Sequence, residues 1–588
     1  MPLFIEELTQ TLLDSGLLRE SVKSYVLDGP LPPHAVPTTL HASLVARLDL
    51  LGSAKEVAMI GAAIGREFSH ELITAVSDLP PSDLDAALAQ LTASGLILHR
   101  GTPSEASYLF KHALIQDAAY VTMLKSRRRQ LHASIAKTLI ERFPALVEKQ
   151  PEMVARHFTE AGLVSEAISF WVKAGRHAYA RWANREAAGF FDHAARLLEK
   201  LPESRETLEQ AIDLRFDLKT SLIPLGQFKR IVSYLHEAEV LAKRLNDQRR
   251  SCLLSVHMCQ TLGLGGNSKD AIAFGQTAQS LAELSGDIPL QAAAALFLGT
   301  ACFSTLNFRS AEEHFLKVLE LLDGGLSLEQ FSLSGIPAVT AHSYLTRIYA
   351  DQGGFERGVV HGEEGVRLAE AVDHPYSLAI ACWCLADLMI TRGELGHAIG
   401  LLERGLKVTR EWNLPFLAAG SSGSLSYAYA LQGQTAEGLP LLEQALSVFE
   451  KMGHQFALSL FLIPLGEMYM HVGRPARALE VAERALAIAR ESGQRSGEAG
   501  ALRLLGDVSA LENSPEIAEN HYRDALALAA ELKMSPLVAR CHHGLGKLYL
   551  RTGQPNQAHI QLDTAKTMYR GMNMLFWLEQ AEAEFRRS

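Results

Sequence analysis

The chain has 588 residues, too many for one hydrophobic core, so it is built either from several domains or from a repeat array that adds core unit by unit. Its 48% apolar and 21% charged residues are those of an ordinary folded protein and exclude disorder as the default. Lys and Arg total 56 against 66 Asp and Glu, a net charge of −10, so there is no global basic field for a polyanion and nucleic acid is not expected as a partner.

The N-terminus, MPLFIEELTQTLL, carries Glu6 and Glu7 where an export signal needs a basic start and an apolar run. The most apolar later stretch, Phe456 to Met470, is broken by Ser459, Pro464, Gly466 and Glu467 and falls short of the roughly 20 residues of a membrane span. A cytoplasmic protein without a membrane partner is expected. The six cysteines (Cys252, Cys259, Cys302, Cys382, Cys384, Cys541) show neither zinc-knuckle nor Cys-x-x-Cys spacing and read as buried thiols; no metal site is expected.

Residues 38 to about 145 begin with an amphipathic helix from Thr38-Thr39 to Leu51 and a second from Ala54 to Ala63, after which Gly65-Arg66-Glu67-Phe68-Ser69 turns into a third. Ser82 is placed as the cap of a fourth helix, with Asp85 in the reciprocal position and an end near Gly95. Leu96-Ile97-Leu98 and Tyr108-Leu109-Phe110 then flank a polar turn containing Gly101 and Pro103, which signals a hairpin. Helices followed by a small hairpin predict a winged-helix-like domain. Its candidate recognition helix, Asp83 to Ser94, holds two aspartates and no Lys or Arg, so packing within the protein is expected of it rather than DNA reading.

Further along, leucines recur every 40 residues at Leu345, Leu385, Leu425, Leu465, Leu505 and Leu545. In the same register come Gly358, Ala398, Gly438, Ala478, Ala518 and Ala558, and then Gly365, Gly405, Ala445, Ala485, Ala525 and Ala565. The spacing of three and four puts these residues on one face of each of two helices, and the Gly-containing break between them makes a hairpin. Large residues such as Tyr349, Tyr429, Tyr469, Tyr549 and Tyr522 fill the wedge to the next hairpin. Ala238, Ala278 and Val318 extend the array upstream to at least nine units, and a step of 47 from Val318 to Gly365 marks seven inserted residues around DGGLSLEQFSLSGIP. FWLEQAEAEFRRS reads as a capping amphipathic helix. All of these residues read as packing residues that give the chain its shape.

The pattern resembles the tetratricopeptide repeat, in which Leu-Gly, Tyr, Ala, an aromatic and Ala recur over about 34 residues; a period of 40 implies longer helices. The fold class expected is therefore dominated by α-helix: a tetratricopeptide-type α-solenoid preceded by a small winged-helix-like domain. Stacked hairpins present an extended concave face, where a protein partner is expected.

PLFIEELT at 2–9, PTTLHASLVARLDLL at 37–51, IGAAIGREFS at 60–69 and FKHALIQDAAY at 110–120 resemble the region after the nucleotide-binding core of bacterial STAND-type signalling ATPases that carry a class III adenylate/guanylate cyclase domain and tetratricopeptide repeats. The resemblance implies an organisation of 1–37 as the remnant of an ATPase lid helix and linker, 38–145 as the winged-helix-like domain, 146–205 as transition helices, 206–569 as repeats and 570–588 as a cap. It also implies a front half that this sequence lacks. No Gly-x-x-x-x-Gly-Lys-[Ser/Thr] phosphate loop occurs; Gly544-Leu545-Gly546-Lys547-Leu548 lacks the first glycine and has Leu where the magnesium-binding hydroxyl belongs. No catalytic residue and no cofactor are expected of this chain, and ATP or ADP enters only through a separate nucleotide-binding domain. His112, in Phe110-Lys111-His112-Ala113, matches in spacing the Met-His-Asp motif in which a histidine touches bound ADP, with Ala113 in place of the aspartate. The function implied is a non-catalytic scaffold and sensor arm that regulates an ATPase or cyclase; the alternatives are the regulatory portion of an adenylate cyclase and a fragment of a STAND-type transcriptional regulator.

Overall fold

The computed structural model describes residues 9, 13, 18–21, 24–27, 40–101, 106–265, 267–305, 307–330 and 333–587. PLFIEELT apart from Thr9, the Thr38-Thr39 start and Pro103 lie outside these residues. The chain divides into two compact units, one of residues 1–177 and 190–202, the other of 178–189 and 203–588.

In the first unit, β1 (Leu18–Ser21) pairs antiparallel with β2 (Ser24–Leu27). There follow α1 (Leu40–Asp49), α2 (Ala54–Ile64), β3 (Glu67–Ser69), α3 (His70–Val76), α4 (Pro81–Ala93), β4 (Ile97–Arg100) and β5 (Ser107–Phe110). The three strands form an antiparallel sheet in the order β3-β5-β4, with Phe68 opposite Tyr108 and Leu98 opposite Leu109. Two helices, a strand, two more helices and a hairpin make up this region, an order consistent with a winged-helix-like fold, and Val57, Ile73, Leu84, Leu91 and Phe110 are buried in it.

Two details differ from the sequence reading. Glu67 to Ser69 is a strand, and Ser69 caps α3 by accepting from the Leu72 N–H at 3.1 Å. Ser82 is not a cap: α4 starts at Pro81 and has no side-chain cap, while the Ser82 hydroxyl donates to Asp83 at 3.2 Å. Proline lacks the N–H that a cap would satisfy and its φ is already helical, so the helix starts one residue early and Ser82 falls inside the first turn.

Five α-helices continue the chain as α5 (Ala113–Val121), α6 (Lys125–Arg142), α7 (Pro144–Lys149), α8 (Pro151–Ala161) and α9 (Val164–Ala180), and α10 (Asn184–Leu198) comes next. At the basic head of α6, Arg127 pairs with Glu56 of α2 at 3.0 Å.

In the second unit the 40-residue register becomes nine helical hairpins among the described residues. They are α11 (Arg205–Leu222) with α12 (Phe228–Leu245), α13 (Gln248–Leu264) with α14 (Ser268–Ser285), and α15 (Ile288–Ser304) with α16 (Phe308–Leu321). After the insertion come α17 (Pro337–Gln352) with α18 (Phe355–Ala371), α19 (Pro375–Arg392) with α20 (Leu395–Glu411), and α21 (Pro415–Leu431) with α22 (Thr435–Met452). The last three are α23 (Gln455–His471) with α24 (Pro475–Glu491), α25 (Arg495–Leu511) with α26 (Pro515–Glu531), and α27 (Ser535–Arg551) with α28 (Pro555–Gly571); the single helix α29 (Leu575–Arg587) ends the series.

Left-handed residues stop the helices in strict register. Gly353, Gly393, Gly433, Gly473, Asn513 and Gly553 end the first helices, and Asp373, Asn413, Gly453, Gly493, Lys533 and Asn573 end the second, all at positive φ. A stop every 20 residues leaves helices of about 17 residues and turns of about three. This is why the period is 40: equal long helices stack without drift.

The wedge tyrosines add a polar tie to their packing. Tyr349, Tyr429, Tyr469 and Tyr549 donate to Glu312, Glu403, Glu443 and Glu519, each on the second helix of the preceding hairpin, at 2.6, 3.2, 2.7 and 2.8 Å.

The solenoid winds back on itself within this unit. Phe228, in the first hairpin, lies edge-on to Phe416 and His454. The Trp577 indole donates to the Thr391 carbonyl at 3.0 Å, 186 residues away. Met572, just beyond the ninth hairpin, sits 2.5 Å from where a Cβ on Gly353, in the fourth, would lie. Gly433 occupies the equivalent turn two hairpins on, with nothing within 4 Å of that point. Alanine is equally strained by the positive φ at both, so Gly353→Ala is expected to destabilise the protein by about 1–3 kcal/mol more than Gly433→Ala, through overpacking against Met572. Paired urea melts read that difference; equal losses would show that the closing contact carries no weight.

Candidate functional site

The first helices of seven of the nine hairpins form the wall of a half-open cavity of about 390 Å³. Residues from α13, α15, α17, α19, α21, α23 and α27 line it, together with Leu333, Ser334 and Gly335 of the insertion. The irregularity in the repeat thus supplies part of the cavity wall. The Ile336 N–H at its end donates to Ser377 Oγ of α19 at 2.9 Å and fixes it there.

The repeat leucines Leu345, Leu385, Leu425, Leu465, Leu505 and Leu545 are buried between helices and are not part of the lining. Ala398, Ala478, Ala518, Ala558, Ala445, Ala485, Ala525 and Ala565 are likewise buried, on second helices. Polar side chains of the lining stand two residues beyond four of the six leucines: Arg347, Asp387, Tyr427 and Glu467 all line the cavity. The +2 position was legible as a charged or polar residue recurring at a fixed phase in otherwise apolar helices, Asp387 in LAIACWCLADLMI and Glu467 in LSLFLIPLGEMYM.

At one end of the cavity the charges are paired. Glu467 accepts from Tyr427 Oη at 2.5 Å, from Arg540 at 2.8 Å and from Arg503, which also holds Asp507. Burial alone would push the Glu467 carboxyl up; Arg540 and Arg503 overcome it and hold the group at about 2. Arg540 in turn stacks on Trp577, 4.8 Å from its ring centre.

In the middle of the cavity they are not. Asp351 lies four residues after Arg347 on α17, yet among the described residues no ion pair joins either side chain to an opposite charge. The Arg347 guanidinium lies over the rings of Phe303 and Trp383, at 5.6 and 5.8 Å. Burial pushes the Asp351 carboxyl up to about 6, Asp387 pushes in the same direction, and Arg347 offsets only part. Asp387 is raised by burial as well, and it accepts from Ser424 Oγ at 2.6 Å, which itself receives the Trp383 indole N–H. Burial raises the Cys384 thiol to about 12, which keeps it protonated and unreactive. All six cysteines are buried and free.

His112 belongs to the first unit. It stands at the junction of β5 and α5, makes no side-chain cap, and its Nε2 is buried without a partner.

Among the described residues no helix is long and apolar enough to cross a membrane, and no three His, Cys, Asp or Glu side chains are grouped to hold a metal ion. The tetratricopeptide repeat family model matches residues 456–531. An uncharacterised protein of Rhizobium meliloti (strain 1021) is 30% identical over 210 residues, which take in 35% of this chain and 19% of that protein, so the chain spans about a fifth of that relative. Among solved structures, a Rap protein complexed with competence and sporulation factor is 16% identical with a TM-score of 0.47, over 63% of this chain and 99% of that one. A STAND protein with a tetratricopeptide repeat sensor from Pyrococcus horikoshii is 14% identical with a TM-score of 0.43, over 76% of this chain and 68% of that one.

The two kinds of buried carboxylate are expected to respond oppositely to neutralisation. Glu467 titrates below its ordinary range, so its stabilisation is complete above about pH 4.5 and is lost as pH falls toward 2. Glu467→Gln at pH 7 leaves Arg540 without its carboxylate and Arg503 with Asp507 alone, and is expected to cost about 3–5 kcal/mol in a urea melt. Asp351 titrates above its ordinary 3.8, so the folded state holds a proton that the unfolded chain has released, and stability falls as pH rises from there through about 6. Asp351→Asn is therefore expected to stabilise the protein at pH 7, by at most roughly 3 kcal/mol, and to flatten that part of the pH profile. Loss of stability in Asp351→Asn would show that the carboxylate is compensated.

Proposed function

We propose that this chain is a non-catalytic signalling module, a protein-interaction scaffold whose cavity takes up an effector and whose winged-helix-like domain passes the bound state to a nucleotide-binding ATPase or cyclase. Tetratricopeptide repeats are scaffolds for protein–protein interaction, and the family match in 456–531 supports that part of the reading. The observation that carries the effector site is the imbalance of charge in the cavity wall: Asp351 and Asp387 face the single Arg347 without an ion pair among the described residues, and Asp351 is raised to about 6, in a protein that has paired Glu467 fully a few helices away. Groups kept in that state lower stability and are suited to binding.

The link to a nucleotide rests on the resemblance of 37–51, 60–69 and 110–120 to STAND ATPases and on His112, whose buried Nε2 has no hydrogen-bond partner within this chain. ATP or ADP would be held by a separate domain, and the protein would work in the cytoplasm. Mixed with or fused to a phosphate-loop ATPase and cyclase core of the resembled family, the chain is expected to change that core's nucleotide turnover severalfold, and His112→Ala to weaken ADP retention. Identical turnover and ADP affinity with and without the chain would overturn the proposal.

A further inference from the structure

We propose that the half-open cavity of the second unit binds a small protonated amine, with its ammonium between Asp351 and Asp387 and its apolar body against Tyr344, Tyr376 and Phe416. The proposal rests on the effector-site reading above and deepens it by naming the ligand's chemistry.

The sign of the ligand follows from the charges of the wall. Among the described residues three carboxylates, Asp351, Asp387 and Glu467, line the cavity with two guanidiniums, Arg347 and Arg540. Glu467 is held by Arg540 and by Arg503, which lies outside the lining. Asp351 and Asp387 both stabilise the Arg347 guanidinium, which leaves one carboxylate in excess. Among the described residues no hydrogen bond lowers the Asp351 carboxyl, and Asp387 uses Oδ1 to accept from Ser424 Oγ at 2.6 Å. The chain answers the excess with a proton, since burial first and Asp387 second raise the Asp351 carboxyl. A cation between the two carboxylates takes that proton's place, whereas an anion would add to the excess. An ammonium offers N–H donors to both; a bare metal ion needs more oxygen ligands than this aromatic wall supplies.

The shape of the ligand follows from helix periodicity. Tyr344, Arg347 and Asp351 succeed one another at steps of three and four on α17, and Tyr376, Ile380, Trp383 and Asp387 at steps of four, three and four on α19, so each set shares one helix face. Both sets line the cavity, and each has its tyrosine toward the helix N-terminus and its carboxylate toward the C-terminus. At 1.5 Å per residue, Tyr344 and Asp351 stand about 10 Å apart along the axis, the length of a small amine. The Arg347 guanidinium already lies over Phe303 and Trp383, which turns the body of the ligand toward Tyr344, Tyr376 and Phe416.

Two buried polar atoms of the same wall point to a ligand independently. Ser334 and His454 are only 3% and 2% exposed, and their Oγ and Nε2 have no hydrogen-bond partner. Both stand at the aromatic end: a Cβ on Gly335, next to Ser334, would lie 3.1 Å from the Tyr376 ring, and the His454 imidazole packs 4.9 Å from Phe416. His454 Nδ1 accepts the Ala457 N–H at 3.1 Å and burial holds the ring near 4, so the single proton of the neutral imidazole lies on Nε2, a donor. An oxygen on the body of the amine, away from its ammonium, meets these atoms.

Calorimetry on the full chain with phenethylamine, tyramine and hexylamine, each beside the alcohol that replaces its ammonium by a hydroxyl, tests the proposal. The alcohols are expected to bind about tenfold or more weakly than the amines, as loss of a charge-assisted contact does, and tyramine to bind tightest of the three. Between pH 5 and 7 Glu467 is held near 2 and His454 near 4, Arg347 and Arg540 stay protonated, and burial raises the Tyr344, Tyr376, Tyr427 and Cys384 protons further out of range. The proton displaced by the amine therefore comes from the Asp351 and Asp387 pair, and affinity is expected to rise about tenfold from pH 5 to 7 as a carboxyl near 6 empties. In Asp351→Asn, which is expected to melt no lower than the parent sequence, the pH dependence should vanish and the preference for amine over alcohol fall severalfold. Absence of binding across the panel, equal binding of amine and alcohol, or an amine affinity that Asp351→Asn leaves unchanged overturns the proposal. Tyramine binding no tighter than phenethylamine overturns the placement of the body beside Ser334 and His454. None of these results touches the scaffold reading, which stands or falls on the turnover of the ATPase and cyclase core.

Discussion

A helical hairpin buries one face of each helix against the other and leaves two apolar faces that only further hairpins can cover. Everything in the second unit depends on how evenly that covering is done. From Gly353 to Asn573, left-handed residues every 20 positions hold the helices near one length, so each first helix meets the next in the same way. The turn closes once the fourth hairpin meets the far edge of the ninth, where Gly353 faces Met572. Closure turns a concave surface into a partly enclosed one, and the residues two places after Leu345, Leu385, Leu425 and Leu465 become part of the wall of a cavity.

Partial burial raises the stakes of the charges on that wall. In low dielectric a carboxylate without a partner moves its protonation toward neutral pH, while one held by two guanidiniums moves the other way, and Asp351 near 6 and Glu467 near 2 show both outcomes within one cavity. The contrast is local in origin. Glu467 has Arg503 and Arg540 reaching it from two later hairpins, whereas Asp351 and Asp387 share a single Arg347 whose guanidinium is spread over aromatic faces. A fold able to build the first arrangement is under no geometric compulsion to leave the second.

How much of this could be read in advance depended on whether the signal repeated. The hairpins, their phase and the packing roles of the leucines and alanines were legible because each recurs in six registers, so chance matches cancel. The hairpin of the first unit was visible as two apolar runs around a polar turn. The strand Glu67–Ser69 was not, since three residues are too few to show an alternation, and the start of α4 was misplaced because Ser82 has the chemistry of a cap while Pro81 decides the geometry. Stops at Asp373 and Lys533 were hidden for a related reason: their left-handed backbone is imposed by the neighbouring repeats, not by their own preference. The cavity could not be foreseen, because it depends on contacts between hairpins far apart in sequence, although its charged residues stood in plain register with the leucines.

The closing contacts and the cavity wall share residues, which ties occupancy to shape. Thr391 lines the cavity and its carbonyl receives the Trp577 indole; Arg540 lines the cavity, holds Glu467 and lies over the Trp577 ring. Phe416 and His454 line it too, and both pack on Phe228 of the first hairpin. The cavity exists only while these contacts hold, so whatever binds inside it binds the closed turn and not an opened one. By linkage its binding energy adds to the closure, and anything that loosens the closing contacts weakens the ligand by the same amount. In a solenoid wound in this way, a small molecule held at the centre would therefore stabilise the contacts that join its ends.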